Sequence, residues 1–342
     1  DKKSIFSINA DGTSLKEIIT KNWLTKFGAG TKVGYLEFVP KTHKILFSAY
    51  LCPKYDPSSN SGCTLGLFLA DTDTGKIKTL MDPFLTGRLL LAGDSRWLGN
   101  FSISPDGNLL SVAHEGQIDI LDMDGKFVRH NIMEYPRDMP IEFFPRLYWF
   151  PDLSGLIAAV PTETDSCGSW DSNYSLMIWR YTFDGELAYN IPLDPPVYWH
   201  EDLASISPNR EWIVYFANEH ELYKGNLLNG DTELELLMQF NWVLPMLWSP
   251  DSKYFASSTD LPGMSILGSV NTPPGFAPGY FVGWIDEKRF IYFPALARNQ
   301  DKFRLLVGKM EGETVLSYES NVVLLTSGII PYDIEFVFME GQ

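Results

Sequence analysis

The sequence has little cysteine, a shortage of positive charge and no long apolar run. Of its 342 residues only 3 are cysteine, and 27 lysines and arginines stand against 43 aspartates and glutamates, a net charge of -16. Binding to nucleic acid or to anionic lipid needs basic surfaces, so neither partner is expected, whereas a cationic partner suits this balance. No apolar run approaches the about 18 residues of a membrane span, so we expect no membrane insertion.

The few cysteines leave the redox state of the chain open. Cys52 ends one apolar run and Cys63 opens the next, with a loop rich in proline, serine and asparagine between them. Across the mouth of a hairpin these two are disulfide candidates, and a disulfide would indicate an oxidising compartment. Two free thiols are the alternative. Cys167 is left as a free thiol by either interpretation.

One short turn recurs along the chain, each time between two apolar runs. Residues 104–107 (Ser-Pro-Asp-Gly) form the clearest copy, and 207–210 and 249–252 are close to it. Weaker copies stand at 39–42 and 150–153, and the copy at 284–287 lacks the proline. A repeat of this kind is typical of arrays of similar units, so it bears on the whole fold.

Residues 100–133 show one unit in full. Four short segments of alternating apolar and polar residues are joined by three turns, the last of them at 122–125 (Asp-Met-Asp-Gly). This alternation with clustered turn formers predicts antiparallel strands. The Ser-Pro-Asp-Gly-type turns recur every 35 to 65 residues, and a four-stranded propeller blade takes about 40–50 residues. The sequence therefore predicts an all-β propeller with loops inserted into some blades.

The blade count depends on the two ends of the chain. Six units leave over two strands within residues 4–19 and two more within residues 322–339. Pairing these ends would complete a seventh blade and close the ring, which removes edge strands that promote aggregation. We therefore predict a single seven-bladed β-propeller domain over residues 1–342, and six blades if 322–339 serve another purpose.

These turns resemble those of the TolB-like, WD-type β-propeller repeat family. That repeat pairs a Ser-Pro-Asp-Gly turn after its first strand with an Asp-x-x-Gly-type turn after its third, and the second kind occurs here at 71–75, 122–125 and 184–185. The resemblance covers nearly the whole chain. It implies the fold rather than one function, because the family includes periplasmic scaffolds, secreted binding modules and the propeller halves of serine peptidases. No Gly-x-Ser-x-Gly motif of a peptidase domain is present.

Local motifs give no cofactor or metal site. Asp71, Asp73 and Gly75 look like the start of a calcium loop, but the twelfth position is Asp82 instead of glutamate, so a β-turn is the expected structure. No glycine-rich phosphate loop and no paired-cysteine metal pattern occurs. We assign no catalytic residue and expect no cofactor.

The propeller geometry points to one face as the functional one. Both kinds of short turn fall on one rim, and the long connectors, including 52–63, 162–174, 192–202 and 272–279, fall on the other. Long loops on a rigid scaffold commonly carry function, and aromatic and acidic side chains suit a protein or a glycan. The predicted partner-binding residues are Trp170, Asp171, Tyr174, Tyr198, Trp199, His200, Glu201 and Asp202.

Three functions agree with this sequence, and a binding protein is favoured over an enzyme. The first is a non-enzymatic extracytoplasmic propeller that binds a protein or glycan partner through the long-loop face. The second is a polysaccharide hydrolase or lyase with carboxylates such as Asp171, Glu201 and Asp202 at the channel mouth. The third is a structural subunit of a larger extracellular assembly. Because the chain begins at Asp1 without methionine, we expect either a removed leader, consistent with a periplasmic or secreted protein, or a trimmed sequence.

Overall fold

A computed structural model defines the architecture. It describes residues 4–7, 14–28, 30–51, 64–81, 101–114, 117–134, 146–163, 173–195, 197–198, 204–217, 221–228, 234–239, 246–259, 264–293, 303–311 and 315–325. The described elements are β-strands apart from one short helix, and no described helix has the length and apolar character needed to cross a membrane.

Among the described residues, most strands belong to six four-stranded blades. Blade 1 comprises β3 (Lys32–Val39), β4 (Lys44–Leu51), β5 (Thr64–Asp71) and β6 (Ile77–Met81). Blade 2 comprises β7 (Phe101–Ile103), β8 (Leu109–His114), β9 (Gln117–Asp122) and β10 (Phe127–Glu134). Blade 3 comprises β11 (Arg146–Trp149), β12 (Gly155–Glu163), β13 (Asn173–Thr182) and β14 (Leu187–Pro192).

The second half of the chain continues the pattern after β15 (Val197–Tyr198). Blade 4 comprises β16 (Ala204–Ile206), β17 (Trp212–Ala217), β18 (Glu221–Asn226) and β19 (Leu234–Gln239). Blade 5 comprises β20 (Leu247–Trp248), β21 (Tyr254–Ser258), β22 (Met264–Ser269) and β23 (Gly275–Pro278). Blade 6 comprises β24 (Tyr280–Trp284), β25 (Arg289–Phe293), β26 (Phe303–Glu311) and β27 (Val315–Leu325).

The prediction of seven blades is wrong, and the alternative of six is correct for this structure. At the N-terminus, β1 (Ile5–Ser7) and β2 (Lys16–Ile19) pair with each other as a two-stranded sheet. At the other end, residues 322–325 do not begin a new unit. They are the last residues of β27, where Leu325 pairs with Phe303 and Val323 with Leu305. The rest of the predicted closing segment, 326–339, lies outside the described residues.

The miscount has a physical origin in β27. Its polar residues 319–321 interrupt the apolar pattern, which in the sequence indicates a strand end. In the structure one eleven-residue strand runs through them, and the register shifts between Leu305 and Val307 of β26. A bulge of this kind absorbs an irregular segment without ending the strand.

The chain divides into two compact units. Among the described residues, the first unit contains those up to Ala158 together with Tyr181–Glu186. The second contains Ala159–Arg180 and the residues from Leu187 onward. In the first unit β1, β2 and the helix α1 (Lys21–Thr25) pack on blade 1, where Ile19, Leu24 and Phe47 are fully buried. Thr20 caps α1 by accepting the N–H of Trp23 on its side-chain oxygen.

Neighbouring blades pack face to face within each unit. In the first unit an apolar cluster joins Val39, Leu46 and Leu67 of blade 1 with Phe101 and Leu110 of blade 2. In the second unit a cluster joins blades 5 and 6, with buried members Tyr254, Ala256, Leu267, Ala277, Phe281, Trp284, Phe290, Tyr292 and Met310. Burial of apolar area between stacked sheets is the main stabilising contribution in such folds.

Three tryptophans on the first strands of their blades add a directed contact to this packing. Each indole Nε1–H donates to a carbonyl on the first strand of the preceding blade. The pairs are Trp149 to Ser102 at 3.0 Å in the first unit, and Trp248 to Ser205 at 3.1 Å and Trp284 to Leu247 at 2.9 Å in the second. A buried indole N–H needs such an acceptor, so these side chains are structural rather than ligand-binding.

Candidate functional site

The antiparallel order of each blade separates two rims. Connections between the first and second strands, and between the third and fourth, lie at one end of the sheet; we call this end the turn rim. The other connections, including those from one blade to the next, form the loop rim. In blade 2 the turn rim thus carries residues 104–108 and 123–126. In blade 2 both kinds of short turn thus lie at the same end of the sheet, as predicted, but residues 272–274 of the predicted long connector 272–279 also lie on the turn rim, between β22 and β23.

The serine hydroxyl of the repeated turn both donates and accepts a hydrogen bond. Ser104 Oγ donates to Asp106 Oδ1 at 2.6 Å and accepts the backbone N–H of Leu109 at 2.8 Å. The two close copies repeat both bonds. Ser207 Oγ donates to Asn209 at 2.7 Å and accepts the N–H of Trp212 at 2.9 Å. Ser249 Oγ donates to Asp251 at 2.7 Å and accepts the N–H of Tyr254 at 2.9 Å. All three serines are fully buried. The serine hydroxyls therefore stabilise their own turns, and the N–H of Asn209 links two copies by donating to Ser252 Oγ at 2.9 Å.

The carboxylates of these turns are held in the charged form. Partial burial acts to raise the pKa of Asp106, but the hydrogen bonds from Ser104 and Asn108 outweigh it, so the pKa lies below its ordinary value. At Asp251 burial likewise acts to raise the pKa, but the hydrogen bonds from Ser249 and Lys253 outweigh it, so this pKa is also lowered.

The second kind of turn docks on the blade before it. Gly125 has a φ of +82°, and a Cβ at this position would lie 2.5 Å from the carbonyl oxygen of Leu80. Beside it, Asp124 forms an ion pair with Lys78 of blade 1. Blade 3 repeats the arrangement within the first unit, since Asp184 pairs with Arg129 of blade 2 at 2.7 Å. Through these contacts, the turns of one blade are held against the preceding blade.

The turn at Asp71 connects β5 and β6 as the sequence predicts, and an i→i+4 backbone hydrogen bond closes it. Asp71 Oδ1 accepts the backbone N–H and the hydroxyl of Thr74, both at 2.8 Å, and the N–H of Gly75 bonds the Asp71 carbonyl at 2.8 Å. The bonds from Thr74 lower the pKa of Asp71. Among the described residues, no group of three or more histidine, cysteine, aspartate or glutamate side chains is placed to hold a metal ion.

Most of the predicted loop-rim residues lie outside the part of the chain that the structure describes. This applies to Trp170, Asp171, Trp199, His200, Glu201 and Asp202, and to the disulfide candidates Cys52 and Cys63. Their assignments stay predictions. For Tyr174 and Tyr198 the backbone is described: Tyr174 pairs with Val197, and Asn173 pairs with Tyr198.

These pairings place two of the predicted loops side by side. The two-residue strand β15 pairs with the start of β13 and, through Val197, with Ala217 at the end of β17. The connector from blade 3 to blade 4 is thus tied by backbone hydrogen bonds to both neighbours. Sequence alone does not indicate this strand, because two residues carry no readable alternation.

One predicted connector is not a loop. Residues 275–278 within 272–279 form β23, the fourth strand of blade 5, with Gly275 opposite Leu267 and Pro278 opposite Met264. Two prolines and a glycine at 273–275 conceal the strand in the sequence, although an edge strand tolerates proline. Phe276, with 47% of its surface exposed, therefore lies on an outer strand.

A cluster of acidic and tyrosine side chains lies at the loop-rim end of blade 4. We call it the acidic tyrosine cluster; its members are Tyr215, Glu221, Tyr223 and Gln239. Tyr215 and Tyr223 are directly opposite each other on β17 and β18, and their rings stack with centroids 5.6 Å apart. Glu221, the first residue of β18, lies opposite Ala217 of β17 and opposite Gln239 of β19.

Glu221 is the polar centre of this cluster. Its carboxylate accepts the hydroxyl of Tyr223 at 3.1 Å and the side-chain amide of Gln239 at 3.3 Å. Burial raises the pKa of Tyr223, and the bond to Glu221 raises it further. Both groups are half-buried, so the carboxylate stays in reach of solvent.

Tyr215 differs from Tyr223 in its burial and its bonding. Its side chain is fully buried, and within the described part of the chain its hydroxyl has no hydrogen-bond partner. Burial raises its pKa, and the proximity of Tyr223 and of the Asp194 carboxylate raises it further. A buried hydroxyl without a hydrogen-bond partner destabilises a folded protein by about 1–3 kcal/mol, so Tyr215 is an unusual residue in this core.

Comparison with known proteins shows the fold and no family. No protein-family model and no curated protein matches the sequence. Among solved structures, 1068 chains match, so the fold is a common one. A chain of a mitotic checkpoint complex matches with a TM-score of 0.51 and 12% identity, over 84% of this chain and 76% of that one.

Two further matches are similarly distant. A prolyl endopeptidase structure has a TM-score of 0.50 and 13% identity over 83% of this chain, which spans 42% of that enzyme's length. TolB from Acinetobacter baumannii has a TM-score of 0.47 and 14% identity over 80% of this chain and 62% of that one. The propeller fold that the resemblance to TolB-like, WD-type repeats implies is confirmed.

Proposed function

We propose that this propeller is a non-enzymatic, extracytoplasmic protein that binds a partner protein through its loop rim. The observation that carries the proposal is the contrast in hydrogen bonding between the two rims. On the turn rim the first serine of each of the three clear turns bonds the side chain two residues ahead, and Ser252 Oγ accepts the N–H of Asn209 from the neighbouring turn. On the loop rim of blade 4, the acidic tyrosine cluster holds solvent-accessible acceptors and a buried hydroxyl with no partner among the described residues.

The charge of the chain supports a partner with a basic surface. The net charge of -16 attracts cations over the whole surface, and Glu221 and Asp194 add a local negative site. Electrostatic complementarity raises association rates and selects partners more than it raises affinity. A glycan would bind through aromatic faces and neutral hydrogen bonds instead, and it is the alternative outcome of the experiment below.

The enzymatic alternative has no described observation in its favour. Its proposed carboxylates, Asp171, Glu201 and Asp202, lie outside the described residues. It therefore stays a prediction from the sequence.

Site-specific photo-crosslinking tests the proposal. A benzoylphenylalanine introduced at Gln239 reports on the loop rim, and one at Glu287 in the β24–β25 turn reports on the turn rim; both positions are exposed. Irradiation in an extract of the producing cells is expected to give a discrete protein adduct from position 239 and none from 287. Adducts from 287 alone, or equal adducts from both, would contradict the proposal. Glycan-array binding without any adduct would favour a glycan.

A further inference from the structure

The outer strand of blade 4 has one edge without a paired strand among the described residues. β19 is the last strand of its sheet and pairs with β18, from Leu234 opposite Gly225 to Gln239 opposite Glu221. Antiparallel pairing with one neighbour uses the backbone groups of alternate residues, so the groups of the residues in between point away from β18. Such an edge is a template for one more strand.

Four other outer strands carry features that discourage strand addition. Lys78 lies on β6, and Asn131 of β10 has a φ of +50° within a register shift. β14 ends at Pro192 and β23 ends at Pro278. Lysines, bulges and prolines are the usual protections of exposed edges. β19 has no proline, lysine or arginine, and its register shift at Leu237 leaves the first half of the strand in regular pairing.

That first half presents apolar and acidic side chains beside the open edge. Leu236 has 45% of its surface exposed, and 61% of the Glu235 side chain is accessible. Lys224 contacts one Glu235 oxygen at 2.9 Å and also donates to the carbonyl of Val270 at 2.7 Å. The lysine is thus held within the fold, and the Glu235 carboxylate keeps a solvent-facing side for a second cation.

We infer that an extended segment of the partner protein adds to blade 4 as a fifth strand beside β19, with an apolar side chain on Leu236 and a lysine or arginine next to Glu235. Charge complementarity favours this occupant, because the chain carries a net charge of -16 and cross-strand pairs of opposite charge stabilise a sheet. β19 reaches the loop rim at Gln239, a member of the acidic tyrosine cluster. The inference therefore rests on the proposed function and names its mode of binding.

Proline substitutions on β19 test this in the crosslinking experiment with benzoylphenylalanine at position 239. Backbone N–H groups of neighbouring residues point to opposite sides of a strand, so Glu235→Pro and Leu236→Pro remove one N–H bonded to β18 and one that faces the added strand. Urea unfolding separates them, because loss of the bond to β18 lowers the midpoint more. The variant with the higher midpoint should lower the adduct yield about five-fold or more.

Matched variants separate the edge from general effects of proline and of charge. Leu187→Pro, at the first residue of the outer strand β14, should change the yield from position 239 less than about two-fold. Glu235→Gln should lower the yield about three-fold at low salt and less at high salt. Glu287→Gln removes one negative charge from the turn rim and should leave the yield unchanged.

The outcomes distinguish the inference from the proposed function. An unchanged yield in the β19 proline variant with the higher midpoint would overturn the inference and leave the proposed function, which needs only the adduct from position 239. An adduct with the mass of two copies of this chain would assign the edge to self-association and would also overturn the inference. Absence of any adduct from position 239 in the chain with an unaltered edge would remove both.

Discussion

Ser104, Ser207 and Ser249 illustrate how one side chain closes a turn. Each hydroxyl bridges the side chain two residues ahead and the backbone N–H five residues ahead. The bridge satisfies a buried donor and acceptor at once, which the backbone of a tight turn cannot do alone. The repeated Ser-Pro-Asp-Gly signal in the sequence is therefore a signal of folding.

Two glycines with similar backbone angles should respond differently to alanine. Gly75 and Gly125 have φ of +69° and +82°, but only Gly125 has a neighbouring atom, the carbonyl oxygen of Leu80, where a Cβ would be placed. Gly75→Ala should lower the free energy of unfolding by about 1 kcal/mol, from left-handed strain alone. Gly125→Ala should lower it by about 3 kcal/mol, because overpacking adds to the strain. Urea unfolding measures both, and equal effects would refute the proposed docking of this turn.

The aspartate of the repeated turn should give the protein part of its acid sensitivity. The folded pKa of Asp106 is lowered, so its stabilising effect is present above the unfolded value of about 3.9 and is lost as pH falls through the folded value. Asp106→Asn keeps the hydrogen-bond geometry, as Asn209 shows in the equivalent position. The variant should be less stable than wild type at pH 7, and the difference should shrink by pH 3.

The reverse substitution is the matched test of this pH effect. Asn209→Asp should introduce a similar loss of stability on acidification. Urea midpoints at pH 7 and pH 3 measure both variants, and a difference between Asp106→Asn and wild type that is independent of pH would contradict the assignment.

Contacts between neighbouring blades differ in their expected contribution. The Trp248 indole donates to Ser205 from a buried position, whereas Lys78 and Asp124 form an exposed ion pair with 46% and 67% of their side chains accessible. Buried hydrogen bonds and ring packing contribute more to stability than exposed ion pairs, which side-chain entropy and salt weaken. The blades should therefore be held by their tryptophans and apolar clusters more than by their rim charges.

Trp248→Phe and Lys78→Gln test this ranking. Trp248→Phe leaves the Ser205 carbonyl without its donor and a smaller ring in the core, which should cost about 2 kcal/mol. Lys78→Gln should cost less than about 1 kcal/mol, and the loss should disappear at high salt. Denaturant unfolding at two salt concentrations measures both, and a larger effect for Lys78→Gln would contradict the account.

The blades were predictable from sequence because each turn between the first two strands carries its own chemical signal. Strands without such a signal were not predictable. β15 has two residues, β23 is concealed by prolines, and β27 runs through a polar stretch that resembles a loop. In each case pairing with a neighbouring strand overrides the local pattern.

The position of the β1–β2 pair beside blade 1 explains why the sequence suggests a seventh blade. Lys16 on β2 donates to the carbonyls of Thr72 and Asp73 in blade 1, much as Lys78 on β6 contacts the turn of blade 2. The pair β1 and β2 thus takes the position of the outer two strands of a blade. The described residues supply no inner strands for it, so six four-stranded blades are present among them.

The sequence predicts that the candidate site lies on the loop rim, but it does not predict which side chains meet there. Alternation and loop length indicate the loop rim, but they do not show that Tyr215 lies opposite Tyr223 or that Glu221 lies opposite Gln239. Those contacts depend on the strand register in which Ala217 pairs with Glu221, and the sequence pattern leaves this register undetermined. The cluster therefore emerged from the structure.

Hydrogen–deuterium exchange of the whole chain, with and without the protein that crosslinks from position 239, tests most directly whether the loop rim is the binding face. Binding at the loop rim should slow exchange in residues 193–198 and 221–226 and leave exchange in the turns at 104–108 and 249–253 unchanged. Protection of those turns, or uniform protection across both rims, would show that the loop rim is not the binding face.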